Sequence, residues 1–137
     1  FCINWWWRRV YETDNIKTIG WVDVESQEFV NILQSAIGTI FPSCAEGGGG
    51  SAITCIHGGL IPIVSEQASV DVQDYGVVLK KNTVENIKEA VRKLSELSTE
   101  DLKDRAYTAW TYVQNNHTRE IFAKDYGQYV DEVLLVP

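Results

Sequence analysis

The spacing of apolar residues changes several times along this chain, from the alternation typical of strands to the period of about 3.6 residues typical of helices. Four short runs rich in β-branched and aromatic residues predict strands. They are residues 16–22, 39–41, 60–64 and 76–79. Ser26 is placed to cap a helix after the first run, and Gly38 to end it. Strands alternating with helices predict an α/β domain with a parallel sheet.

Further helices are predicted in the second half of the chain. Asn82 with Glu85, and Ser98 with Asp101, have the three-residue spacing of a capping box at a helix start. A last helix opens near His117 and carries apolar residues that we expect to be buried. These residues are Ile121, Phe122, Tyr126, Tyr129, Val130 and Val133. Two C-terminal helices are therefore expected to follow the sheet.

The first residues are too apolar for a free tail. Residues 4–12 have the spacing of a helix end, and we expect Trp5, Trp6 and Trp7 to pack against a part of the protein outside this sequence. Methionine is absent, including at position 1, so the chain is expected to begin inside a longer protein.

Composition narrows the classes of function. The 137 residues carry a formal net charge of -7, which argues against a nucleic-acid binder because no basic stripe offsets phosphate repulsion. No apolar run has the length of a membrane span, and no signal peptide is visible. The cysteines, Cys2, Cys44 and Cys55, are odd in number and lack metal-ligand spacing. They indicate reduced thiols in a cytoplasmic protein.

The most informative stretch is residues 47–50, four consecutive glycines that we call the glycine loop. It separates the predicted strand 39–41 from a short helix, and so falls at the carboxyl end of a strand, where open parallel sheets bind ligands. Glycines let a ligand approach the backbone, and the helix start presents unpaired amides to an anion such as phosphate. The amides concerned are those of Gly48, Gly49, Gly50 and Ser51.

Other interpretations of this stretch stay open. A phosphate-binding P-loop would need a lysine before Ser51, and a dinucleotide fingerprint would need an acidic residue at the end of the next strand. A flexible turn is the simplest alternative. Glu46, just before the glycine loop, could accept hydrogen bonds from sugar hydroxyls or cap the following helix.

The residues Pro42-Ser43, Glu46-Gly47 and Gly59-Leu60-Ile61-Pro62-Ile63-Val64 together resemble a known family. They look like the C-terminal half of a retaining glycosyltransferase of the GT-B class, the group 1 family. Weaker matches extend the resemblance over about residues 14–134. The resemblance implies one Rossmann-like nucleotide-sugar-binding domain over residues 1–137, with a parallel sheet, flanking helices and C-terminal helices, truncated at its N-terminus.

The resemblance also implies roles for single residues. Glu46 matches the first glutamate of the family's glutamate, seven residues, glutamate motif and would contact the donor sugar. The second glutamate, which contacts the ribose, falls on Thr54, a departure that weakens the expected nucleotide contact. The amides of Gly48 to Ser51 would hold the diphosphate. No metal is expected, because no metal ligands cluster in this stretch and the family generally works without one. No cofactor is expected either, since the nucleotide-diphosphate sugar is itself the donor substrate.

The implied partners follow from the same family. They are the nucleotide sugar and an N-terminal acceptor-binding domain of the same enzyme, with no nucleic acid and no transmembrane segment. Any peripheral contact with a membrane would be made by the part of the enzyme that this sequence does not include. The family's basic residues for the diphosphate also precede this sequence, so the chain alone is expected to be inactive.

Two alternatives to a glycosyltransferase remain at this point. A nucleotide-sugar epimerase would use a similar cradle but needs acids and bases at the sugar, for which only Glu46 and His57 are at hand. A histidine near a helix end is more often a capping or packing residue. A non-catalytic nucleotide-sugar-binding module would account for Thr54.

Overall fold

The computed structural model describes residues 13–134, so the predicted helix end at 4–12, the three tryptophans within it and Cys2 lie outside the described residues. Its elements, in chain order, are α1 (Gln27–Gln34), β1 (Gly38–Phe41), α2 (Gly50–His57), β2 (Ile61–Ser65), β3 (Val77–Leu79), α3 (Val84–Ser95), α4 (Thr99–Asn116) and α5 (Arg119–Leu134). The chain divides into two compact units, Phe1–Ser35 and Ala36–Pro137.

The described part of the first unit contains one helix and no extended strand. Ser26 caps α1 as predicted, because its hydroxyl accepts a hydrogen bond from the Phe29 amide at 3.2 Å. The predicted strand 16–22 is wrong: only an isolated antiparallel bridge joins Thr13 to Ile16. Gly20 adopts a φ of 85°, which breaks the extended backbone in the middle of the run.

The second unit is built on a three-stranded parallel sheet in the order β1-β2-β3, which confirms the α/β fold. Gly38 pairs with Ile61, and Ile63 pairs with Val77. The predicted role of Gly38 as the end of α1 is wrong, because α1 stops at Gln34 and Gly38 opens β1. A Cβ on Gly38 would lie 2.8 Å from the Ile61 carbonyl oxygen, so the close pairing of these strands requires glycine.

Helices cover both faces of the sheet. All five residues of the central strand β2 are buried, and alternate residues point to opposite faces. Ile61 and Ile63 pack with Leu94 of α3 on one face. Val64 packs with Ala52 of α2 on the other face, so α2 lies across the sheet from α3.

A second apolar cluster holds the far end of α2. Ile56 packs with Tyr75, and with Ala109 and Val113 of α4. The buried Tyr75 hydroxyl donates a hydrogen bond to the Asp71 carbonyl at 2.7 Å. Burial, more than the neighbouring charges, raises the pKa of Tyr75 to about 12.

The helix starts of the second half differ slightly from the prediction. Ser98 caps α4 as predicted, since its hydroxyl accepts from the Asp101 amide at 3.1 Å. The predicted cap Asn82 is wrong: Thr83 caps α3 by accepting from the Asn86 amide, which leaves the Asn82 side chain free to bond elsewhere.

The last helix, α5, has no fully buried residue. Several of its predicted core residues are exposed instead. They are Phe122, Tyr126, Tyr129 and Val133. Spacings of three and four residues place these four on one face of α5, so the helical period was correct and the expected burial was wrong.

Candidate functional site

The glycine loop joins the carboxyl end of β1 to the first turn of α2. Gly49 is the N-cap of α2 and has a left-handed φ of 50°. Its carbonyl accepts from the Ala52 and Ile53 amides, at 2.8 and 3.1 Å. Within residues 13–134, no hydrogen bond begins at the amides predicted to bind an anion. These are the amides of Gly48, Gly49, Gly50 and Ser51, four consecutive donors at a helix start.

The glycine loop packs against the chain that follows β2. A Cβ on Gly49 would lie 2.3 Å from a methyl carbon of Val70 and 2.8 Å from the Ala68 carbonyl oxygen. Real side chains do not approach so closely, so only glycine fits this position. The packing shows that the loop is held in one place at Gly49, which argues against a merely flexible turn.

Glu46 precedes the glycine loop and is exposed. Its backbone is fixed from two sides, because its amide donates to the Gln67 carbonyl at 3.1 Å and its carbonyl accepts from the Ser69 hydroxyl at 3.3 Å. Its carboxylate oxygen Oε1 accepts from the Ser43 hydroxyl at 3.0 Å. The alternative role of Glu46 as the cap of α2 is wrong, because the cap is Gly49.

The end of β2 and the chain segments that follow β1 and β3 meet at Ser43. The Ser43 carbonyl oxygen accepts from the Ser65 hydroxyl at the end of β2, and from the Asn82 amide nitrogen beyond β3 at 3.1 Å. Ser43, Ser65 and Asn82 were not predicted as site residues. The signal that could have identified them is their position at, or within three residues of, the carboxyl end of a strand, at the edge where parallel sheets place their functional groups.

Thr54 lies one turn into α2 and is exposed. Its hydroxyl donates to the Gly50 carbonyl at 3.0 Å, within the same helix. The proton of Thr54 is therefore already used, and the oxygen retains only acceptor capacity for a ribose hydroxyl.

His57 ends α2 and ties it to the C-terminal end of α4. One ring nitrogen, Nε2, lies 3.0 Å from the His117 carbonyl oxygen, and the other, Nδ1, lies 3.1 Å from the Gln114 amide nitrogen. A neutral ring that donates from Nε2 and accepts at Nδ1 satisfies both contacts. The structure thus supports the packing role of His57 and leaves neither ring nitrogen for substrate.

In the part of the chain that the structure describes, no group of three or more His, Cys, Asp or Glu residues is arranged to hold a metal ion. Cys44 and Cys55 are free thiols.

None of the helices within residues 13–134 is both long and apolar enough to cross a membrane.

No model of a protein family, no curated protein and no solved structure matches this chain significantly.

Proposed function

We propose that this chain is the donor-binding part of a retaining glycosyltransferase of the GT-B class, group 1 family. It would bind a nucleotide-diphosphate sugar whose sugar is transferred to an acceptor in polysaccharide or glycoconjugate synthesis. The observation that supports this most is the row of unpaired amides at the start of α2, which begins two residues after Glu46 and its exposed side chain.

The unpaired amides suit a diphosphate. A helix N-terminus offers both hydrogen-bond donors and the positive end of the helix dipole to a phosphate group. When the bond from the sugar to the diphosphate breaks, negative charge grows on the bridging oxygen, and fixed amides stabilise that charge. This contribution needs no side-chain cation from residues 47–51, which include neither lysine nor arginine.

Glu46 suits the sugar. One carboxylate oxygen is bonded to Ser43, and the other, Oε2, has no partner within residues 13–134. An ionised carboxylate accepts strong hydrogen bonds from hydroxyl groups. We therefore assign Glu46 to the hydroxyls of the donor sugar and the amides of Gly48 to Ser51 to the diphosphate.

The proposal includes a partner and a location. An acceptor-binding domain of the same enzyme would close the site from the side of the sugar. The free thiols of Cys44 and Cys55 favour the cytoplasm.

A non-catalytic nucleotide-sugar-binding module is the second candidate. The observation that favours it is Thr54, whose donor is used within α2. An epimerase is less well supported, because both ring nitrogens of His57 are bonded to α4 or its C-cap and leave Glu46 without a second acid or base.

The proposal is tested by titrating the 137-residue chain with UDP, GDP and ADP and their sugar conjugates, observed by NMR. The amides of residues 47–52 are expected to shift first. Glu46→Gln should weaken binding of the sugar conjugate by about tenfold or more, while binding of the free diphosphate is retained, because a neutral amide is a weaker acceptor.

Asp125→Asn is the matched control, since it removes one exposed carboxylate on α5. It should change neither affinity. Shifts confined to residues outside 47–52, or equal affinities for Glu46→Gln and the parent chain, would contradict the proposal. Turnover by the complete enzyme separates the transferase from the non-catalytic module.

A further inference from the structure

We infer that Ser65 and Asn82 are positioning residues that orient the Glu46 carboxylate through Ser43. The inference rests on the proposed function, because it concerns how the same site distinguishes a nucleotide sugar from a free nucleotide. Neither residue reaches the carboxylate itself: both donate hydrogen bonds to the Ser43 carbonyl oxygen.

The first step is the contact between Ser43 and Glu46. The Ser43 hydroxyl donates to Oε1 of Glu46 at 3.0 Å and lies 3.3 Å from the Ala45 carbonyl oxygen. These contacts select one orientation of an exposed side chain that would otherwise exchange rotamers in water. Oε2 is then left pointing in a defined direction for a sugar hydroxyl.

The second step is the support of Ser43. A carbonyl oxygen has two lone pairs, and at Ser43 both have donors, one from Ser65 and one from Asn82. Two bonds to one carbonyl fix the peptide plane between residues 43 and 44. The Cα atom of Ser43 belongs to that plane, so the two bonds restrict how the Ser43 backbone, and with it the hydroxyl, can turn relative to Glu46.

The two donors come from different environments. Ser65 is buried at the end of the central strand, where it has little freedom. Asn82 is exposed and follows the outer strand β3. Ser43 is therefore tied to the last residue of β2 and to the segment that follows β3, and its orientation depends on both contacts together.

The backbone of Glu46 is held separately. Its amide and carbonyl are bonded to Gln67 and Ser69, and Ser69 has a left-handed φ of 52°, uncommon for a residue other than glycine. The position of Glu46 thus depends on residues 67–69, whereas the direction of its carboxylate depends on Ser43. Loss of the Ser65 or Asn82 side chain should therefore disturb the direction of the Glu46 carboxylate and preserve the position of the Glu46 backbone.

The test compares Ser65→Ala and Asn82→Ala with two matched controls in the 137-residue chain. Ser95→Ala removes a hydroxyl that donates to the Arg92 carbonyl on α3, and Asn116→Ala removes an amide that donates to the Tyr112 carbonyl on α4. The controls lose the same kinds of hydrogen bond away from Glu46. Amide NMR spectra establish that each variant is folded.

The first measurement is the side-chain rotamer distribution of Glu46 in the free chain, from NMR scalar couplings. One rotamer should dominate in the parent chain and in both controls, and averaging should appear in Ser65→Ala and Asn82→Ala. Unchanged rotamer order in these two variants would overturn the inference, whatever the chain binds. If the buried Ser65→Ala does not fold, the exposed Asn82→Ala decides alone.

The second measurement uses calorimetry to obtain two dissociation constants, one for the free nucleoside diphosphate and one for its sugar conjugate. The quantity compared is the first constant divided by the second. The ligand pairs are UDP and UDP-glucose, GDP and GDP-mannose, and ADP and ADP-glucose. We expect the ratio to fall by about threefold or more in Ser65→Ala and Asn82→Ala, as for the loss of one hydrogen bond. The affinity for the free diphosphate should stay within about twofold. In a Glu46→Gln background the effect of either substitution should disappear, because coupling requires the shared carboxylate.

The outcomes separate the two proposals. If the parent chain binds none of these nucleotides, the proposed function fails and the sugar-selecting role fails with it, while the rotamers still decide whether Ser65 and Asn82 orient Glu46. If the parent binds but the ratio is unchanged in both variants, the proposed function stands and the positioning role is overturned. A ratio that falls equally in the Glu46→Gln background would also overturn it.

Discussion

At the scale of single residues, Gly49 is the position where the glycine loop tolerates least change. It combines a left-handed φ with a close approach to Val70 and Ala68, and either feature alone favours glycine. Its neighbour Gly50 has open space where a Cβ would be. A run of four identical residues therefore contains positions with very different requirements.

Gly49→Ala should lower the free energy of unfolding by about 2–4 kcal/mol, from left-handed strain and overpacking against Val70. Gly50→Ala, the control, should leave stability unchanged or raise it by up to about 1 kcal/mol, because alanine favours the helix. Urea unfolding followed by circular dichroism measures both. Equal stabilities for the two variants would contradict the packing described for Gly49.

At the scale of secondary-structure elements, α2 is held at both ends by different means. Its first turn packs through Ala52 on Val64 of the sheet, and its last turn is joined to α4 through Ile56 and His57. The unpaired amides are thus presented by a short helix that has little freedom to move. This matters for anion binding, because fixed donors need no reorganisation when a ligand arrives.

His57→Ala should lower the free energy of unfolding by about 1–2 kcal/mol, because it removes one partly buried and one exposed hydrogen bond. Nucleotide affinity should be retained within about twofold, since loss of one or two remote hydrogen bonds leaves the amide donors in place. His117→Ala is the control, because Nε2 of His57 contacts only the backbone carbonyl of His117, and this substitution keeps that carbonyl. Lost affinity with full stability in His57→Ala would instead identify His57 as a ligand contact.

Most elements of the second unit could be predicted from the sequence because their apolar spacing is local information. The strands at 60–64 and 76–79 and the cap Ser98 appear nearly where their patterns place them. The run 16–22 failed because β-branched residues form a strand only when a neighbour pairs with them, and Gly20 interrupts the extension.

The site was predictable in part for the same reason. Glu46 and the amides after it stand next to a recognisable strand end, so their proximity follows from chain order. The meeting of Ser43, Ser65 and Asn82 joins residues 22 and 39 positions apart, which no local pattern encodes. Asn82 was instead interpreted as a helix cap, because its spacing to Glu85 is equally good for that role.

At the scale of the whole molecule, the cluster around Tyr75 links stability to alkaline pH. Tyr75 is buried and its pKa is raised to about 12 from the usual value near 10. The protonated phenol is therefore favoured in the folded state more than in the unfolded state. Its contribution is fully present below about pH 10 and is lost as pH rises through about 12.

The free energy of unfolding should fall by up to about 3 kcal/mol between pH 10 and pH 12. Tyr75→Phe should lower stability by about 1 kcal/mol at pH 8, where only the bond to Asp71 is lost, and should flatten the alkaline slope. Burial and Asp71 also raise the pKa of Tyr112, so the stability of Tyr75→Phe should still fall somewhat with rising alkaline pH. Urea unfolding at pH 8, 10 and 11.5 measures this, and an unchanged slope in Tyr75→Phe would contradict it.

The strand order β1-β2-β3 has a consequence for solvent exchange. Within residues 13–134, β1 pairs with β2 on one side and with no strand on the other. The amide of Ile61 donates to the carbonyl of residue 37, so the backbone groups of residue 37 face β2. In a parallel pair, every second residue of a strand faces the same neighbour, and the register from Gly38–Ile61 to Phe41–Val64 is unbroken. The amides of Thr39 and Phe41 therefore face β2, whereas that of Ile40 faces outward, so hydrogen–deuterium exchange should alternate between slow and fast along a single four-residue strand.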